Sequence, residues 1–137
     1  MINIQAIDHI VLRANNPQQL IDFYCNILNC PIEKVQDHVG LTQLRAGNAL
    51  IDIIAVDGEL GRKLGAGPAI GGGGKNLDHF CLTIDPIEPK TLIAYLDKHG
   101  VEHGDFVERY GSGGFGDSIY ITDSEGNGVE LRWGRCN

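Results

Sequence analysis

Two segments seventy positions apart, IDHIVLR at 7–13 and LDHFCLT at 77–83, share one pattern: apolar, Asp, His, apolar, any residue, Leu. Side chains alternate along a strand. Each segment therefore sets a histidine near the start of a strand, on one face with the residues two and four positions later. A chain that carries the same histidine-bearing strand twice is expected to be built from two copies of one module. Two modules related by a pseudo-twofold axis would bring equivalent positions together at that axis.

The elements between and after these strands repeat in the same order. After the strand at 6–14, Asn15 and Asn16 can cap a helix that Pro17 pre-organises. Leu20, Phe23, Tyr24, Ile27 and Leu28 then form one apolar stripe, and Pro31 stops the helix. Weaker strand patterns follow at 32–36 and 40–46, joined by a turn around Asp37 and His38. ALIDIIAV at 49–56, introduced by Gly47-Asn48, is a clear strand, apolar throughout except for Asp52. The second half reads as a strand at 77–84, a helix around 89–99 striped by Leu92, Ile93, Tyr95 and Leu96 and closed by Gly100, a strand near 105–109, then SIYITD and GVELRWG as closing strands. Both halves are thus βαβββ. The fold class is α+β: two tandem modules with pseudo-twofold symmetry, forming a curved, partly closed mixed sheet around a metal site, with the helices outside.

The first module spans 5–57 and the second 76–134, within a single domain of 137 residues. Between them, 58–75 is glycine-rich and reads as a linker with no packed element. YGSGGFGD at 110–117 reads as a second glycine-rich loop, placed to border a pocket. Neither stretch carries a phosphate-loop spacing in a strand–loop–helix context.

Eleven basic against eighteen acidic residues give a net charge of −7 with no Lys/Arg cluster, which argues against nucleic acid as a partner. No apolar run is long enough to span a bilayer, and the N-terminus has no basic segment leading into an apolar block, so the expected location is cytoplasmic, away from membranes. Cys25, Cys30, Cys81 and Cys136 have no CxxC spacing and read as reduced thiols packed as small hydrophobes. Cys81 falls two residues after His79 and is expected on the same face as that histidine.

Each closing strand carries one carboxylate among apolar residues, Asp52 in the first module and Glu130 in the second. A lone buried carboxylate is costly because its charge loses water, and a cation is the simplest compensation. With His9 and His79, these acids make a four-donor set suited to a borderline or hard divalent metal, with positions left for water or substrate. Asp8 and Asp78 read as ordinary polar strand residues.

The order His, acid, His, Glu over paired βαβββ modules, with DFYCNILN at 22–29 and ITDSEGNGVELR at 121–132, resembles the vicinal oxygen chelate superfamily, which includes glyoxalase I, extradiol dioxygenases and bleomycin-resistance proteins. The resemblance covers nearly the whole chain. Its most specific parts are the first strand with its histidine, the Phe23-Tyr24 segment with Leu28, and the turn and strand carrying Asp123, Gly126, Asn127, Glu130 and Leu131.

The resemblance implies metal ligands at His9, Asp52, His79 and Glu130, with nickel, zinc, iron, manganese, cobalt or magnesium as the ion. It implies Glu130 as the catalytic base and Arg13, four residues after His9, as the binding group for a substrate anion. It further implies a metal-dependent lyase or isomerase of glyoxalase type acting on a small α-oxygenated carbonyl or thiol adduct, and a homodimer. The alternatives are a His-His-Glu dioxygenase or thiol transferase, and a non-enzymatic drug-binding module. Four positions depart from the glyoxalase I pattern. Ser124 stands in place of a frequent proline and Asn29 in place of a glycine, which asparagine can replace in left-handed backbone. Asp52 is one methylene shorter than the usual Glu or Gln, and Val56 takes the place of an asparagine that contacts glutathione.

Overall fold

Both histidine-bearing segments become strands whose first residue is the histidine: β1 is His9–Ala14 and β5 is His79–Thr83. The computed structural model describes residues 1–63 and 77–134, the former in one compact unit and the latter in a second. Each unit has its own four-stranded mixed sheet.

In the first unit β1 leads to helix α1, Pro17–Asp22, capped by the Asn16 side chain, which accepts from the Gln19 amide at 3.2 Å. The apolar stripe does not continue as an α-helix. At Phe23–Ile27 the chain widens into one π-helical turn, ending near Asn29 at φ 55°, among the described residues the one non-glycine with positive φ. A π turn adds a residue per cycle and breaks simple helical spacing, so Leu20 and Tyr24 become fully buried while Ile27 and Leu28 are only half-buried.

Strands β2 (Ile32–Gln36), β3 (Leu41–Ala46) and β4 (Ala49–Ala55) follow, and the turn between β2 and β3 is a short 3₁₀ helix, Asp37–Val39. The order across the sheet is β1-β4-β3-β2, with β1 parallel to β4 and the remaining pairs antiparallel. Register sorts the side chains into two faces. Leu12, Ala14, Leu44, Ile51 and Ile53 share one face and are buried, on the strands that α1 packs against. His9, Val11, Arg13, Gln43 and Asp52 share the other.

The stretch read as a linker begins differently from that expectation: Glu59–Lys63 is a helical turn, α2, next to β4. Its Gly61 is buried, and a Cβ there would overlap the carbonyl of Ala55. Glycine at this position supplies close approach rather than freedom. The rest of the linker, 64–75, and Cys136 lie outside the described residues.

The second unit repeats the scheme. Helix α3, Pro89–Lys98, starts where Glu88 accepts from the Thr91 amide at 3.2 Å, buries Leu92 and Leu96, and ends at Gly100 with φ 66°. Strands β6 (Val107–Gly111), β7 (Gly114–Thr122) and β8 (Gly128–Gly134) complete the sheet β5-β8-β7-β6, with β5 parallel to β8. Here, too, an expected loop is ordered: 110–117 is mostly strand, a hairpin whose tight turn uses Gly114 at φ 90°. Paired strands need no side chains to form their hydrogen bonds, so a run of small residues in a hairpin reads from sequence as a loop.

One link between α3 and the following segment is pH-sensitive. His103 donates from Nε2 to Asp97 Oδ1 at 2.9 Å and from Nδ1 to the Gly104 carbonyl at 2.8 Å, and both bonds, the carbonyl first, hold its pKa above the ordinary 6.5. A pKa raised on folding stabilises below the unfolded value and loses that stabilisation as pH rises through the folded value. Thermal melts of His103→Gln against the parent should show a deficit at pH 6 that vanishes by pH 9. Asp97 is exposed, so the deficit should be below about 1 kcal/mol, a few degrees in Tm.

Candidate metal and substrate site

The same local geometry occurs in both sheets. In the first, His9 pairs with Leu50 and Asp52 with Val11; in the second, His79 pairs with Gly128 and Glu130 with Cys81. Each sheet thus places its histidine one register step of two residues from the acid on the neighbouring parallel strand, on one face. The acid strand lies between two hydrogen-bonded neighbours in both units, and Asp52 and Glu130 are buried, 5% and 7% exposed.

Asp8 and Asp78 are more than ordinary polar strand residues. His9 Nδ1 donates to Asp8 Oδ1, and His79 Nδ1 donates to Asp78 Oδ2, both at 2.7 Å. A carboxylate on Nδ1 fixes the tautomer and ring orientation and leaves Nε2 as the outward donor atom, the arrangement that accompanies metal-binding histidines. Each carboxylate precedes its histidine directly, so the doubled Asp-His dipeptide was the available signal. The bond to Asp8, with a further push from the Asp52 charge, raises the His9 pKa.

His79 Nε2 stands 3.2 Å from Glu130 Oε2. Glu130 Oε1 accepts from the buried Ser118 hydroxyl at 2.7 Å, which fixes one oxygen and leaves the other facing the histidine. Tyr120 sets its ring edge-on to His79 at 5.2 Å. The turn ahead of β8 is built by Asp123, whose Oδ1 accepts from the amides of Glu125 and Asn127, both at 2.9 Å, with Gly126 at φ 80°. This accounts for the Asp, Gly and Asn of the turn motif: they set where β8 starts and hence where Glu130 falls. A cleft of about 360 Å³ opens beside His79, lined also by Asp78, Glu102, His103, Tyr120 and Thr122.

Asp52 is held differently. Gln43 Nε2 lies 3.2 Å from both of its carboxylate oxygens. Arg13 is on the same face, half-buried, and donates from Nη2 to the Gly61 carbonyl at 3.3 Å, so α2 orients it. Cys81 shares a face with His79 and Glu130 as expected, but is exposed rather than packed in the core. Desolvation of the thiol, then the Glu130 charge, pushes its pKa up to about 11, which leaves it protonated and unreactive at neutral pH.

The structure therefore brings the sequence-predicted residues together as pairs, His79 with Glu130 in contact and His9 with Asp52 on one sheet face. Among the described residues no group of three or more His, Cys, Asp or Glu side chains gathers in one place. Ser118, Gln43 and Tyr120 were not legible as site residues because their role depends on strand register alone.

Two βαβββ units, each with a histidine on its first strand and a buried acid on its last, define a class of paired-module α+β proteins. The chain belongs to the Glyoxalase/Bleomycin resistance protein/Dioxygenase superfamily, whose family model matches residues 6–131. Solved structures agree on the fold. An integron cassette protein from the mobile metagenome of V. Cholerae is 20% identical, with 97% of this chain and 98% of that chain covered and a TM-score of 0.74. Virulence protein STM3117 from Salmonella typhimurium is 21% identical over 98% and 100%, with a TM-score of 0.74. Lactoylglutathione lyase from Agrobacterium tumefaciens is 20% identical over 96% and 95%, with a TM-score of 0.69. No curated protein matches. No helix among the described residues is long and apolar enough to cross a membrane.

Proposed function

We propose that the protein is a divalent-metal-dependent enzyme of glyoxalase type, a lyase or isomerase that moves a proton on a small α-oxygenated carbonyl compound or its thiol adduct. His9, Asp52, His79 and Glu130 would hold the ion, one His-acid pair from each module, paired within one chain or between the chains of a homodimer. The observation that carries this reading is the repeated Asp-His dyad at 2.7 Å, which presents a histidine Nε2 from each module. Two imidazole nitrogens and two carboxylates suit a borderline divalent ion. When bound, the ion supplies Lewis acidity toward adjacent substrate oxygens.

The protein's own groups do the rest. Glu130 Oε1 is fixed by Ser118, so Oε2, which faces His79, is the oxygen that would take a proton from the carbon next to the carbonyl and return it to the carbonyl carbon, while the hydroxyl proton passes to the former carbonyl oxygen. Such a transfer consumes no proton overall. Arg13, oriented by the Gly61 carbonyl, would pair with an anionic group of the substrate.

A specific observation favours a second reading. Asp52 has both oxygens facing the Gln43 amide, a carboxylate already partnered. A three-ligand His9, His79 and Glu130 centre with more open positions would then suit dioxygenase or thiol-transfer chemistry. Turnover of the methylglyoxal–glutathione hemithioacetal by metal-loaded protein, lost on chelation, supports the first reading. Oxygen uptake with catechols by iron-loaded protein, with no effect of Asp52→Asn, replaces it with the second.

A further inference from the structure

The second sheet holds a buried cation that the proposed chemistry leaves unused. Arg132 is 7% exposed, and its Nε has no hydrogen-bond partner. Its Nη2 donates to the Gly114 carbonyl at 2.7 Å and reaches that of Arg109 at 3.4 Å. Among the described residues no carboxylate forms an ion pair with it. A buried cation with no carboxylate in ion-pair contact is costly, and two carbonyls are a partial substitute.

Its placement is as informative as its burial. Arg132 pairs with Thr83 and with Ser118, and shares their face and that of Glu130 two residues earlier on β8, roughly 7 Å away along the strand. The β6–β7 hairpin is shaped around it: a Cβ at Gly111 would overlap Nη1, and one at Gly116 would fall 2.9 Å from Nη2. Gly111 leaves room for a planar guanidinium beside the hairpin backbone, while at Gly116 the nearer constraint is the Trp133 carbonyl. Pinning a hairpin needs one or two donors, and a guanidinium has five, arranged to match an oxyanion. The first sheet has an arginine at the equivalent register step, Arg13 opposite Ile54, carried by the other strand of the pair.

We infer that Arg132 binds an oxyanion, a carboxylate or phosphate group on the substrate, on the face of the second sheet that carries Glu130. This deepens the reading of Glu130 as the base, and rests on it for the identification of the anion as substrate. It restricts the substrate to compounds with an anionic group about two strand residues from the carbon that loses its proton.

The test is titration of inorganic phosphate and of acetate into the full chain by calorimetry, in chelator-treated and in zinc-loaded protein. Saturable binding of either anion is expected in both forms, at least tenfold weaker in Arg132→Gln and unchanged in Lys90→Gln, an exposed cation on α3. Equal affinity in Arg132→Gln, no saturable binding to the parent, or binding only in the zinc-loaded form overturns the inference. If Arg132→Gln fails to fold, Gly111→Ala decides the matter: its methyl displaces the guanidinium without removing the charge, and should weaken anion binding with the Trp133 near-ultraviolet circular dichroism retained. Zinc content measured on the same samples reads the metal centre separately, so a failure there is distinguishable from a failure of anion binding.

Discussion

Glu130→Gln is expected to lower kcat by about 10²–10⁴, the usual contribution of a positioned general base, while the melting temperature stays near that of the parent. The amide is nearly the same size as the carboxylate, so the strand packing of β8 survives, and the Ser118 hydroxyl can still donate to the amide oxygen. What disappears is the proton acceptor at the position of Oε2, 3.2 Å from His79 Nε2. Steady-state kinetics on the hemithioacetal, with metal content measured alongside, checks this. If kcat falls only in proportion to metal occupancy, Glu130 is a ligand alone; full activity removes it from the site.

The largest effect on stability is expected at Tyr24. Its side chain is fully buried, at the start of the π turn, edge-on to Phe23 at 5.3 Å, and it shares the core with Leu20, Leu44, Ile51 and Ile53. Truncating a buried aromatic to alanine costs about 3–5 kcal/mol through lost transfer energy and the cavity left behind. For a chain of this size that corresponds to roughly 10–20 °C in Tm. Denaturant unfolding of Tyr24→Ala should show the lower midpoint with an unchanged slope, since the surface exposed on unfolding is nearly the same. A loss under 1 kcal/mol would mean that the π turn repacks freely and that this core is not the one described.

The architecture was largely legible from periodicity. The doubled Asp-His strands, the capped helix at Pro17, the striped helix around 89–99 closed by Gly100, and the apolar closing strands are all signals that act within a few residues of each other, and all reappear as elements. Where the reading failed, the deciding interaction was longer in range. Gly61 reads as flexible until the Ala55 carbonyl is seen against it, and Gly111, Gly114 and Gly116 read as a loop until they pair as a hairpin beside Arg132. The π turn at Phe23–Ile27 shifts the helical stripe by a residue and has no local signature.

The candidate site was legible in its acids and histidines as a proposal, and opaque in what orients them. His9, Asp52, His79 and Glu130 stand out because an ionisable residue in an apolar strand needs a reason. Ser118 and Gln43 do not, since a serine or glutamine on a strand is unremarked until register sets it against a carboxylate. The same register ranks the acids. Glu130 keeps one oxygen toward a histidine, whereas Asp52 faces an amide with both. The contrast makes Glu130 the stronger candidate for proton transfer and Asp52 the point on which the four-ligand and three-ligand readings divide.

The most direct test of a shared ion is metal stoichiometry by inductively coupled plasma mass spectrometry after loading and desalting, in the parent and in His9→Ala, His79→Ala and Glu130→Ala. One divalent ion per chain in the parent, falling below half in each of the three variants although two lie in the second module and one in the first, is the predicted result. Full occupancy in His9→Ala, or a parent that retains no ion, would contradict a centre assembled from both modules.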